Sequence, residues 1–86
     1  SAGKGKIYLR WYTISDASGY QIRYCKKKSM KSGVKVMTVK GQRKYKKTIS
    51  KLSRRKRYYV QVRAYKKSGK KTVYGKWSQK YMLKTK

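Results

Sequence analysis

A chain of 86 residues is the length of one small domain, and 28 Lys and Arg set against a single acid, Asp16, give it a net charge of +27. With no His and no second carboxylate, the sequence excludes paired-carboxylate and His-based catalysis. The lone Cys25 has neither a disulfide partner nor companions for a zinc site, so no enzyme, metal or cofactor is expected. Apolar types still make up 37% of the chain, with ten Tyr and two Trp, which suits a thin folded core and not low-complexity disorder. No apolar run approaches the ~20 residues needed to cross a bilayer, and no signal-peptide core is present.

Taken in order, the chain shows period-two alternation and no helical pattern. "KIYLRW" puts Ile7, Leu9 and Trp11 on one face, with Lys6, Tyr8 and Arg10 opposite. After the turn-like "SDASG", "YQIRY" alternates Tyr20, Ile22 and Tyr24 with Gln21 and Arg23. The loop "CKKKSMKSG" leads into "VKVMTV", where Val34 and Val36 compete with Met37 and Val39 for the inside. "KTISKL" supplies Ile49 and Leu52. "RRKRYYVQVRAYKK" then places Tyr58, Val60, Val62 and Ala64 on one face and Tyr59, Gln61, Arg63 and Tyr65 on the other. Its cations suggest a polyanion-binding arm, yet a disordered arm has no reason to keep the alternation, so residues 57–66 are read as a strand. "KKSGKK" is expected to form a hairpin loop around Gly69, and "YGKWSQKYMLK" a last strand whose approach contains Trp77. Six short strands without a helix predict an antiparallel β-sandwich.

"LSRRKRYYVQVRA" resembles the signature of the fibronectin type III family, in which a Leu precedes a corner Tyr by six positions and alternate Val, Val and Ala follow. Leu52, Tyr58, Val60, Val62 and Ala64 fit that spacing. "IYLRW", "GYQIRY" and "GKWS" resemble the family's second strand, third strand and approach to the last strand, in the family's order over about residues 6–85. The resemblance implies an all-β immunoglobulin-like sandwich with Trp11, Tyr20, Ile22, Tyr24, Ile49, Leu52, Val60, Val62 and Trp77 in the core. It also implies termini at opposite ends, an inward Tyr58 bonded to upstream backbone, and an outward Tyr59. Two departures stand out: Arg54-Arg55-Lys56-Arg57 replaces the usual Pro-Gly turn, and only "SAGKG" stands where the first strand belongs. That strand is therefore expected to be short or missing, with one sheet edge uncovered.

The lysine-rich flavour of "ASGYQIRY" and "VYGKWS" resembles modules of Gram-positive bacterial surface and secreted proteins. The resemblance implies a single domain over residues 1–86, excised from a larger multidomain protein. It would serve as a non-catalytic structural or adhesive spacer, extracellular or cell-wall associated, with neighbouring domains of the same chain as partners. The alternative is polyanion recognition of teichoic acid, acidic polysaccharide or nucleic acid. Its contacts would be Arg23 and Arg63 with Tyr59 and Tyr65 on the outward strand face, and Arg54, Arg55 and Arg57 on the loop; guanidinium groups bind anions bidentately while aromatics stack on rings. A nucleic-acid-binding housekeeping protein, such as a ribosomal component, also accounts for the charge, but not for the strand spacing.

Overall fold

The computed structural model describes residues 2–86. Eight strands are present: β1 (Ala2–Gly3), β2 (Lys6–Arg10), β3 (Gly19–Cys25), β4 (Lys35–Lys40), β5 (Lys46–Ile49), β6 (Arg57–Ser68), β7 (Lys71–Tyr74) and β8 (Tyr81–Lys84). All pairings are antiparallel. One sheet has the order β1-β2-β5; the other runs β4-β3-β6-β7, with β8 pairing the first part of β6. The two sheets meet through Ile7, Leu9 and Ile49 from the first and Ile22, Tyr58 and Val60 from the second. Trp11, Tyr24, Met37, Val39, Leu52, Val62 and Leu83 pack against this cluster from its margins. Tyr20 is buried as well, its ring tilted on Trp11 with centroids 5.7 Å apart.

Strand pairing decides the face of β4, which its own sequence leaves open. Met37 lies opposite Ile22 and Val39 opposite Tyr20, and directly opposed residues share a face of the sheet. Met37 and Val39 therefore turn inward, and Val36, opposite Arg23, is exposed.

Tyr58 enters β6 as the corner residue: it is buried, and its hydroxyl accepts a 2.9 Å hydrogen bond from the Ser53 backbone N–H. Arg55, in the turn that precedes it, has φ +55°, a left-handed conformation that glycine adopts without strain. Thr85 ties this loop to the chain's last residues. Its buried hydroxyl donates to Ser53 O at 2.6 Å and accepts from Lys56 N–H at 3.0 Å. Cys25 ends β3 as a buried thiol that donates to Lys27 O at 3.0 Å.

The first strand is short, as expected: two residues long, pairing Ala2 with Ile7 and Gly3 with Lys6. A cleft of about 1350 Å³ opens between the sheets beyond it, with Leu9, Trp11, Val62, Tyr81 and Leu83 among its lining. Two other expectations are corrected. The short strand keeps the described termini together, not at opposite ends: Lys86 N–H donates to Gly3 O at 2.9 Å, and Gly5 N–H to Lys86 O at 3.2 Å. Finally, the last strand is broken and Trp77 is not in the core. The chain advances from Tyr74 to Tyr81 while β6 retreats only from Tyr65 to Val60, two residues fewer. The extra length forms a bulge over residues 75–80, where strict alternation no longer sets the facing.

Candidate functional site

The bulge is fastened by Ser78. Its N–H donates to Val62 O at 2.8 Å, and its hydroxyl accepts from Val62 N–H at 3.0 Å, a side chain standing in for a ladder carbonyl. Gly75 N–H holds the other end on Ala64 O at 2.9 Å. Trp77 is thereby folded back over the outer face of β3 and β6. There β3 and β6 place Arg23 opposite Gln61 and Gln21 opposite Arg63, so cations and amides alternate like the squares of a board.

Each guanidinium is fixed in its plane and covered by a ring. Arg23 Nε donates to Gln61 Oε1 at 2.8 Å, and Arg63 donates to Gln21 Oε1 through both Nε (2.9 Å) and Nη2 (2.7 Å). Gln61 is held in turn by its Nε2, which donates to Ser78 O at 2.7 Å. The Trp77 ring lies between the two guanidiniums, 4.4 Å from that of Arg23 and 4.2 Å from that of Arg63. Tyr74 covers the other side of Arg63 at 3.9 Å. The order Tyr74, Arg63, Trp77, Arg23 makes a four-member stack in which ring faces of negative quadrupole meet cations.

The stack explains why Arg23 and Arg63 coexist without an acid. The chain's only carboxylate side chain, Asp16, sits in the exposed 11–18 loop. Delocalised guanidinium is weakly hydrated and tolerates half-burial where an ammonium would not. Both arginines are half-buried, and their stacked faces are occupied, so what remains for a ligand is the outer rim of each fork.

The other predicted contacts scatter. Tyr65 points to the same side as Arg63 but is buried, not presented: it packs on Tyr74 at 6.5 Å between centroids and abuts Gly19. Gly19 lies directly opposite Tyr65, and a Cβ there would run into the tyrosine ring and the Val39 carbonyl oxygen, so the missing side chain is what admits Tyr65. Tyr59 is half-buried on the outer face. Arg54, Arg55 and Arg57 are exposed at the end of the sandwich that holds both termini, with Arg54 Nε donating to Lys86 O at 3.4 Å. The structure thus joins Arg23 and Arg63 with Gln21 and Gln61, which alternation places on the same face, and adds Tyr74 and Trp77, which strand alternation alone could not assemble.

No curated protein sequence matches this chain. Among solved structures, the FN1–FN3 domains of chicken CNTN1 superpose on 96% of it with a TM-score of 0.80 at 24% identity. This chain spans 26% of that one. The fn3 domain of human contactin 1 matches 98% of the chain, and 68% of its own length is covered, with a TM-score of 0.80 at 21% identity. These likenesses establish the shared sandwich. The corner tyrosine and strands β1 to β7 lie within residues 2–80, which match the family described as fibronectin type III domain; β8 follows directly after. The chain belongs to the fibronectin type III family.

Proposed function

We propose that this domain is a non-catalytic structural or adhesive module of a larger secreted or cell-surface protein of a Gram-positive bacterium. Domains of its family are typically structural or adhesive, generally non-catalytic and commonly extracellular. The observation that carries the reading is that its most reactive-looking side chains are spent on scaffolding. Arg23, Arg63 and Trp77 brace one sheet face, Tyr58 closes a corner, and the Cys25 thiol is buried. A strand-length segment ahead of Ala2, laid along β2, would carry the entry point to the far end of the sandwich and give the module the through-going axis a spacer uses. The test is immunolabelling of intact source cells with antibody raised to this domain. Surface staining is expected; staining only after lysis would refute the extracellular assignment.

A second reading, polyanion binding, is favoured by a net charge of +27 with one acid in the whole chain. The partner would be teichoic acid, an acidic polysaccharide or nucleic acid. Arg54, Arg55 and Arg57 offer exposed forks, while Arg23, Arg63 and Tyr59 offer only partial surfaces. Diffuse attraction of this kind weakens steeply with salt, because binding releases condensed counterions. Affinity for an anionic polymer that is flat across salt concentrations would exclude this diffuse mode, and no affinity at low salt would exclude the reading altogether.

A further inference from the structure

The end of the sandwich away from the termini carries a different cluster. The loop after β2 and the loop before β5 enclose a cleft of about 630 Å³ lined by Arg10, Trp11, Tyr12, Thr13, Arg43 and Tyr45. Tyr12 is 97% exposed and Tyr45 48% exposed, so neither ring is positioned for the fold's sake. Lys46 Nζ sits 5.6 Å from the centre of the Tyr45 ring. Trp11, which lines this cleft and the larger one between the sheets, keeps its Nε1 buried with no hydrogen-bond partner among the described residues.

The two loops are locked to each other before any ligand arrives. The buried Tyr20 hydroxyl accepts from Ile14 N–H at 2.8 Å and donates to Gln42 O at 2.7 Å, so one side chain joins both loops. Trp11 N–H adds a 2.9 Å bond to Tyr45 O, and Gln42 Nε2 a 3.4 Å bond to Ile14 O. A cleft held in this way loses little conformational freedom on binding.

Its side chains constrain the ligand. The two guanidiniums only donate, the hydroxyls of Thr13, Tyr12 and Tyr45 are amphoteric, and no carboxylate or amide side chain lines the cleft. A nucleobase edge presents amino and imino donors beside its acceptors, and those donors would meet only hydroxyl oxygens here. A carboxylated sugar ring suits the set better. Its carboxylate takes a guanidinium fork, its hydroxyl oxygens accept, and its C–H face lies on an aromatic ring.

We propose that this cleft is a binding site for a uronic-acid residue of an acidic polysaccharide, with Arg10 and Arg43 holding the carboxylate and Tyr12 and Tyr45 packing on the ring. The inference rests on the polyanion reading above and gives it a site that the outer-face arginines do not supply. The Trp11 indole, beneath the ligand, reports occupancy.

The test is calorimetry and NMR of the intact domain with tetragalacturonate, neutral maltotetraose, inorganic polyphosphate and oligothymidylate. Tetragalacturonate is expected to bind at about 0.3 M salt, where diffuse attraction is screened, and to shift the indole N–H resonance of Trp11 more than that of Trp77. Tyr12→Ala and the pair Arg10→Gln/Arg43→Gln should each weaken it about ten-fold or more, whereas Lys27→Gln/Lys28→Gln/Lys31→Gln should change it about two-fold at most. Tyr12 being exposed, its replacement leaves the fold intact. Equal binding of polyphosphate or oligothymidylate with no effect of Tyr12→Ala would overturn the site while leaving charge-driven polyanion binding standing. Maltotetraose binding as tightly as tetragalacturonate would refute the carboxylate's role. Binding of none of the anions, even at low salt, would overturn both.

Discussion

Tyr58 and Tyr59 are neighbours of identical chemistry and opposite fates. Tyr58 is buried and its hydroxyl satisfies the Ser53 N–H; Tyr59 is half-buried and its hydroxyl makes no hydrogen bond among the described residues. Tyr58→Phe should therefore cost about 1 kcal/mol in denaturant-measured stability and Tyr59→Phe close to nothing. Equal losses would place the corner elsewhere. Arg55 offers the converse experiment. Its φ of +55° costs an L-residue roughly 1–2 kcal/mol, against roughly 0.5–1 kcal/mol of extra backbone entropy that a glycine loses on folding. Arg55→Gly is expected to stabilise the domain by about 0.5–1 kcal/mol, and a lowered unfolding midpoint would show that the turn carries no such strain. The tyrosine was legible in the sequence because the Leu52-to-Tyr58 spacing marks it. The strained turn was legible only as a departure, since four consecutive basic residues say nothing of φ.

At the scale of elements, the outer face of β3 and β6 depends on the broken last strand. Arg63 lies between the Tyr74 and Trp77 rings and makes two hydrogen bonds to Gln21; Arg23 meets one ring and makes one bond to Gln61. Lysine cannot reproduce a planar fork or a stacked guanidinium. Arg63→Lys should therefore cost about 1 kcal/mol or more and Arg23→Lys distinctly less, as half-exposed cation–π contacts contribute about 0.5–1 kcal/mol each. Thermal unfolding of the two variants checks the order, and reversal would mean that the stack is not what orders this face. The sequence placed Arg23 and Arg63 outward by alternation alone. The family resemblance put Trp77 in the core, and a bulge two residues longer than its partner turns it outward instead. Tyr65 failed similarly: alternation assigned its face, but only the pairing with Gly19 and Tyr74 shows that the face is covered there.

For the whole molecule, charge sets the response to the environment. With +27 and a single acid, the folded chain gathers repulsion that few internal ion pairs can offset. Screening shortens that repulsion, to roughly 10 Å at 0.1 M salt and less above it. The thermal midpoint should rise with salt from low to moderate concentration, and rise further with multivalent anions at the same ionic strength. A midpoint indifferent to both would mean that the repulsion is as large in the unfolded chain as in the folded one. The proposed uronate cleft adds a distinct signature, stabilisation by a carboxylated oligosaccharide that persists where salt has screened the rest.

What the sequence by itself determined is what depends on local pattern. Alternation specified six of the eight described strands, leaving out β1 and β7, and the inner faces of β2, β3 and most of β6; composition excluded His- and carboxylate-based chemistry; and one spacing identified the corner tyrosine. What only the tertiary structure decided depends on register between distant segments. The facing of β4, the outward turn of Trp77, the covering of Tyr65 and the meeting of the 11–18 and 41–45 loops through the Tyr20 hydroxyl all belong to this class. The physical reason is the same in each case. A strand's own alternation fixes two faces but not which lies inside, and bulges and cross-strand partners, which choose between them, are properties of pairs of segments far apart in the chain.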